Sequence, residues 1–182
     1  ADFSKDLTIT ETKNKLPLYY KKNVDDGLFT LVFRYEFGHE DDNRYDIASD
    51  YLDYVGTAKL SAMQIKQQFY KLACNYNVNV NADNLNITLS GLSENMPAAL
   101  KLMEDVLHNA KADKESYAQF VDLMLKARDD SKKDQRTCFD YLYYYNVYGP
   151  HNMRRDDMTE KQLREADPQE LLNLLGNLST KE

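Results

Sequence analysis

The sequence predicts an α+β fold in which helices pack on one face of a mainly antiparallel sheet. Residues 74–92 alternate apolar and polar side chains over two runs, which is typical of an antiparallel hairpin with one buried face. Before and after this hairpin, apolar residues recur at helical spacing. The main elements are therefore predicted in the order β-β-α-α-β-β-α-α-α.

Two strands are predicted at the start of the chain. A short one covers residues 16–22, and a longer one over 28–38 follows the turn that ends at Gly27. The longer strand carries large apolar or aromatic side chains on one face: Phe29, Leu31, Phe33, Tyr35 and Phe37. We therefore expect it to be a central strand.

The period then becomes helical. Apolar residues recur from Ile47 to Val55 and stop at Gly56, a residue that commonly ends helices. Ser61 and Gln64 have the spacing of a capping box, which predicts a second helix leading into the hairpin.

The hairpin presents two different faces. A two-residue turn at Asp83 and Asn84 would set Val80 opposite Ile87 on the apolar face and Asn79 opposite Thr88 on the polar face. The polar face is either a solvated surface or a surface that binds substrate or a partner. Its candidate residues are Asn77, Asn79, Asn81, Asn86, Thr88 and Ser90.

Further helices are predicted after the hairpin. Ser93 and Asp113 are placed to cap two of them, and residues 134–148 form an aromatic-rich third. Thr159 and Asp167 begin short terminal helices. The third helix has too many tyrosines for all to face inward, so we expect a domain interface, water or substrate to meet some of them.

Composition limits the classes of partner. The 182 residues fit one domain over 1–182, with a core from about 16 to 178. A net charge of −7 argues against nucleic acid and anionic membranes as partners. The sequence has neither an apolar run that would span a membrane nor a targeting segment, so we expect a soluble protein of unassigned compartment. Because it starts at Ala1, we expect a fragment of a longer chain.

Motifs of catalysis are missing from the sequence. Its 3 histidines do not form a zinc-binding pair on one helix, and no glycine-rich phosphate loop or Gly-x-Ser-x-Gly elbow is present. His39 is placed in a turn rather than in a set of metal ligands. Cys74 and Cys138 are expected to be buried thiols.

Several motifs occur in a recognisable order. They are IASDYLDYVGT at 47–57, FYKL at 69–72, SGL at 90–92, YGPHN at 148–152 and DPQELL at 167–172. In this order they resemble one repeat of the insulinase/pitrilysin family of zinc metallopeptidases. The chain is most similar to the repeat that opens the C-terminal half of the long members.

The resemblance implies a repeat without catalytic or metal-binding residues. In the active repeat of that family, His-x-x-Glu-His lies on a helix that ends in Gly-Thr. Aligning that pair with Gly56 and Thr57 puts Ile47 and Tyr51 at the histidine positions and Asp50 at the general base. Because zinc needs three protein ligands, we expect no zinc here and no activity of the chain alone.

The resemblance also implies partners. A zinc-bearing N-terminal half, or a subunit of the same family, would carry the zinc of the parent metalloendopeptidase, and this chain would close over it to form a chamber for peptide substrates. The polar hairpin face would then look into that chamber. Two alternatives stay open: a scaffold or interaction module of the same fold, and an enzyme of another kind that uses Tyr and Asp residues.

Overall fold

The computed structural model describes residues 7–13, 15–152 and 156–178. In this part of the chain the strands are β1 (Thr8–Glu11), β2 (Pro17–Tyr20), β3 (Leu28–Tyr35), β4 (Gly56–Thr57), β5 (Cys74–Val80), β6 (Leu85–Leu92) and β7 (Ala110–Lys111). The helices are α1 (Arg44–Leu52), α2 (Ala62–Lys71), α3 (Met96–Asn109), α4 (Lys114–Ser131), α5 (Gln135–Tyr148), α6 (Glu160–Glu165) and α7 (Pro168–Gly176). The predicted α+β fold with antiparallel pairing is confirmed.

Three separate antiparallel sheets occur among the described residues. The main sheet has the strand order β3-β6-β5, while β1 pairs with β2 and the short β4 pairs with β7. Every residue of the two strands β1 and β2 is exposed, so this pair of strands stands away from the core. The sequence predicted β2 and missed β1, whose four residues carry a single large apolar side chain, Ile9.

Side-chain caps begin most of the helices, as the sequence predicts. Ser61 and Gln64 form a complete capping box at α2, and the Asp113 carboxylate accepts a hydrogen bond from the Ser116 amide at 2.7 Å. The expectation that Ser93 caps α3 was wrong. Residues Ser93–Asn95 form a 3₁₀ turn instead, and α3 begins with Pro97 in its first turn, where proline needs no amide partner.

The predicted register of the hairpin was wrong by two residues. Val80 lies opposite Leu85 and Asn79 opposite Asn86, because the connection has four residues, 81–84, and not two. The Asn81 amide donates to the Asn84 carbonyl at 2.8 Å and closes this connection. A shift of two residues preserves the side-chain faces, so the apolar and polar sides are as predicted.

The segment after β3 holds this connection in place. The amides of His39 and Glu40 donate to the carbonyls of Asn81 and Ala82, each at 2.9 Å. A Cβ atom added to Gly38 would lie 2.2 Å from the Asn81 carbonyl oxygen, so the close approach of the two segments needs a glycine at this point. These contacts join residues far apart in the sequence, which explains why the hairpin pattern alone gave the shorter turn.

The prediction that β3 is a central strand was also wrong. Among the described residues β3 pairs only with β6, which is the central strand. The apolar side chains of β6 are accordingly buried more deeply: Ile87 is 2% exposed, whereas Phe33 of β3, its direct partner, is 37% exposed.

The core lies between the apolar face of the main sheet and the helices. Helices α1 and α2 contact β5, α3 contacts β5 and β6, and α7 packs on α1 and α3. Buried residues from Tyr45 to Leu178 form one hydrophobic cluster. No described helix combines the length and the apolar composition that crossing a bilayer requires.

Candidate functional site

The side chains at the two aligned ligand positions of α1 are buried in the core. Ile47 is 3% exposed and Tyr51 is 0% exposed. The Tyr51 ring meets the Tyr117 ring edge-on at 5.0 Å between centroids, and the Phe120 ring lies 5.5 Å away. An aromatic cluster therefore surrounds the position where the resemblance would put a histidine.

The Tyr51 hydroxyl has its hydrogen bonds satisfied within the chain. It donates to the Asp113 carbonyl at 2.9 Å and accepts from the Asp113 amide at 3.2 Å. Burial raises the pKa of Tyr51, and burial raises the pKa of Tyr117 to about 12. Both phenols therefore stay neutral at physiological pH and serve as structural residues that tie α1 to α4.

Asp50 lies on the exposed side of α1, away from this cluster. Partial shielding from water raises the pKa of its carboxyl, and the negative charges of Asp46 and Asp53 add to the rise. The charged groups near Asp50 are thus other carboxylates, and the two aligned ligand positions of the same helix hold the buried side chains of Ile47 and Tyr51.

His39 lies in a turn, as predicted, but no sequence pattern indicated that its side chain is buried and paired. Its side chain is 4% exposed, and Nδ1 lies 2.5 Å from the Asp46 carboxylate. Burial raises the pKa of Asp46, and the hydrogen bond from His39 opposes that rise. The pair fixes the segment after β3 to α1.

In the described part of the chain, no group of three or more His, Cys, Asp or Glu residues is placed to hold a metal ion.

The structure brings the candidate residues of the polar sheet face together. Asn77 lies opposite Thr88 and Asn79 opposite Asn86 across β5 and β6, which corrects the pairs expected from the two-residue turn. Asn77 and Asn79 are exposed, and the others are partly buried: Asn81, Asn86, Thr88 and Ser90. They form a continuous uncharged patch on the side of the sheet opposite the core.

Side-chain amides on this face are oriented by one another. Asn79 Nδ2 donates to Asn81 Oδ1 at 3.2 Å, and Asn81 Nδ2 donates to Asn84 Oδ1 at 2.8 Å. Asn86 Nδ2 donates to the same Asn84 oxygen at 2.7 Å. Because each of these bonds uses only part of the capacity of an amide, the chain of asparagines is ordered and still has donors and acceptors to offer.

Strand β3 adds a third row of side chains to the polar face, beside those of β5 and β6. This contribution was not predicted. Thr30, Val32 and Arg34 lie opposite Ser90, Thr88 and Asn86, respectively. The alternation in β3 already separated Thr30 and Arg34 from its apolar side chains, but nothing in the sequence showed that β3 pairs with β6. The Arg34 guanidinium lies 2.9 Å from the Glu36 carboxylate, so the pair adds no net charge to the face.

Comparison with known proteins identifies the fold. No protein-family model matches the sequence. A solved peptidase M16 inactive domain from Pseudomonas fluorescens superimposes with a TM-score of 0.75 at 18% identity, over 93% of this chain and 42% of that one. The chain has the M16 peptidase-domain fold. The predicted resemblance is thereby confirmed, since M16 is the family of the insulinase-like and pitrilysin-like peptidases.

Two further solved M16-fold structures and one curated protein are similar. The periplasmic protease PqqL from Escherichia coli gives a TM-score of 0.74 at 14% identity over 96% of this chain and 20% of that one. The ferredoxin protease FusC, solved with Arabidopsis ferredoxin, gives a TM-score of 0.76 at 10% identity over 97% of this chain and 20% of that one. Mitochondrial-processing peptidase subunit beta of Neurospora crassa is 21% identical over 130 residues, 70% of this chain.

All these relatives are longer than the matched region. The chain spans 27% of the length of the curated relative and 20% to 42% of the solved chains. The region matched by this chain is therefore only part of each of these proteins.

Proposed function

We propose that the chain is a non-catalytic domain of an insulinase-like zinc metallopeptidase, one domain of a longer polypeptide. The observation that carries this proposal is that Ile47 and Tyr51 stand at both positions aligned with the histidine ligands of the active repeat. Both side chains are buried in the core of an M16 fold. A buried isoleucine has no donor atom, and the tyrosine oxygen is engaged by the backbone of Asp113. The residues present do not fit a zinc ion, which would belong to another part of the polypeptide.

In this proposal the domain closes over a zinc-bearing half and forms one wall of a peptide-binding chamber. The polar face supports that role because the helices that contact the main sheet bury its apolar side, while Asn77 and Asn79 remain exposed. Amides and hydroxyls can bond the backbone of an extended peptide, which presents the same donors and acceptors whatever its side chains are. An uncharged wall would therefore hold peptides of varied sequence.

The greater length of the relatives supports the presence of a partner domain. The match covers 20% of PqqL and 42% of the Pseudomonas protein, so chains with this fold include further segments that could carry the metal. The proposed partners are accordingly a zinc-bearing N-terminal half, or a subunit of the same family, and a peptide substrate.

The proposal is tested by adding charge to the polar face of the parent peptidase. We expect Asn79→Glu with Thr88→Glu to lower kcat/KM for acidic peptides by about tenfold, which corresponds to about 1.4 kcal/mol of charge repulsion. Turnover of basic peptides of the same length should be unchanged or faster. The measurement is steady-state kinetics on a matched pair of acidic and basic fluorogenic peptides.

Met63→Glu with Tyr70→Glu is the matched control. It adds the same charge on α2, where the two side chains are 71% and 86% exposed, and should leave both peptides unaffected. Equal kinetics of the parent protein and the Asn79→Glu, Thr88→Glu variant on both peptides would contradict the chamber role. That outcome would favour the alternative, a scaffold or interaction module of the same fold.

A further inference from the structure

The hairpin formed by β1 and β2 differs in charge from the rest of the chain. Residues 8–22 carry four lysines and one glutamate, a charge of +3, whereas the whole chain carries −7. The lysines are Lys13, Lys15, Lys21 and Lys22, and all four side chains are exposed. None of the four forms an ion pair with another described residue, so their charges are available to a partner.

The turn of this hairpin keeps a lysine where a smaller residue would fit better. Lys15 has a φ of 62°, in the left-handed region that favours glycine and asparagine. Its amide donates to the Thr12 carbonyl at 2.9 Å, and the Leu16 amide donates to the Thr12 hydroxyl at 3.1 Å, so hydrogen bonds fix the backbone of the turn. A side chain retained in a disfavoured conformation points to a role for that side chain. Lysines needed only for solubility could occupy any exposed position.

Apolar and aromatic side chains lie between the lysines at the turn and the lysines that follow β2. Tyr19 is 64% exposed and Tyr20 is 53% exposed, and Ile9, which lies opposite Tyr19, is 59% exposed. A two-stranded hairpin without a packed face is at most marginally stable in water, so these strands imply a partner that covers them. An aromatic centre with a polar rim is the usual arrangement of a protein interface.

Charge and size decide which partner fits this surface, which we call the basic hairpin (residues 8–22). Because the basic hairpin carries +3 and the chain −7, the remaining residues carry −10. A nucleic acid or an anionic bilayer extends well beyond the hairpin and would be repelled by this surrounding charge. Each strand has four residues and is about 13 Å long, which matches a short segment of polypeptide.

We propose that the basic hairpin docks an acidic segment of another polypeptide, in which carboxylates flank apolar side chains. The carboxylates pair with the lysines at the two ends of the hairpin, and the apolar side chains pack on Tyr19 and Tyr20. Complementary charge of this kind raises the rate of association and selects the partner. The inference uses no residue of the polar sheet face, so it is independent of the chamber role.

The test is fluorescence anisotropy with the parent polypeptide. The probe is a labelled peptide in which two leucines are flanked on each side by two glutamates, and we expect it to bind more tightly than the same peptide with lysines in place of the glutamates. Replacing the four lysines of the hairpin by glutamine should raise the Kd of the glutamate peptide by about tenfold. Tyr19→Thr with Tyr20→Thr should raise it by about fivefold, because threonine suits a strand but removes the aromatic centre.

The matched control replaces four other exposed lysines by glutamine: Lys59, Lys66, Lys71 and Lys101. It makes the same change in net charge away from the hairpin and should leave the Kd within about twofold of the unaltered value.

Four results would overturn the proposal. Equal weakening by the control would mean that the charge of the whole protein acts and not the hairpin. Equal affinity for the glutamate and lysine peptides would remove the selection by charge. Absence of binding, together with slow hydrogen exchange of residues 8–20 in the parent polypeptide, would show that another part of that polypeptide covers the hairpin. Tighter binding of single-stranded DNA, or of vesicles of phosphatidylcholine and phosphatidylglycerol, through the same four lysines would identify another class of partner.

Discussion

Replacement of Ile87 by alanine is expected to destabilise the domain by about 2–5 kcal/mol. Ile87 is on the central strand β6, is 2% exposed, and lies opposite Phe33 on one side and Val78 on the other. Removing its side chain loses burial and leaves a cavity between the main sheet and the helices that pack on it. Urea unfolding monitored by circular dichroism measures the change.

Asn79→Ser is the control for the Ile87 prediction, because Asn79 is an exposed residue on the opposite face of the hairpin. Its effect should stay within about 0.5 kcal/mol, as for most surface substitutions. Equal effects of the two substitutions would mean that the assignment of the faces is wrong.

Replacement of Tyr51 by alanine should cost about 3–5 kcal/mol, within the range for buried aromatic side chains. The ring is 0% exposed and contacts Tyr117 and Phe120. Tyr51→Phe keeps the ring and removes only the hydroxyl bonded to the Asp113 amide and carbonyl, so it should cost about 1–3 kcal/mol.

Unfolding free energies of the two Tyr51 variants, measured in the same buffer as the unaltered protein, check this prediction. If both variants were as stable as the unaltered chain, Tyr51 would not be a structural replacement for a metal ligand. The interpretation of α1 as a helix adapted to structure instead of catalysis would then fail.

Local patterns predicted much of the fold. The periods of two and of 3.6 gave the main strands and helices, and the caps at Ser61, Asp113, Thr159 and Asp167 occur where their side chains suggested. These features depend on residues within a few positions of each other, so one sequence carries the full signal.

Features that depend on distant contacts were missed. The hairpin register depends on amides of His39 and Glu40, more than 40 positions before the turn, and the position of β3 at the edge depends on its pairing with β6. The polar hairpin residues were grouped correctly by parity, but Thr30, Val32 and Arg34 joined them only through that pairing. The sequence predicted that some tyrosines of α5 face outward, but it did not show that none of the residues of this helix is buried in the described structure.

The central claim, that the polar sheet face contacts peptide in the parent peptidase, is tested most directly by photocrosslinking. A benzoylphenylalanine residue placed at Asn79 should form an adduct with a bound peptide on irradiation, while the same residue placed at Tyr70, on exposed α2, should form none. Adducts of equal yield at both positions, or none at Asn79 under conditions where the peptide is turned over, would contradict the claim.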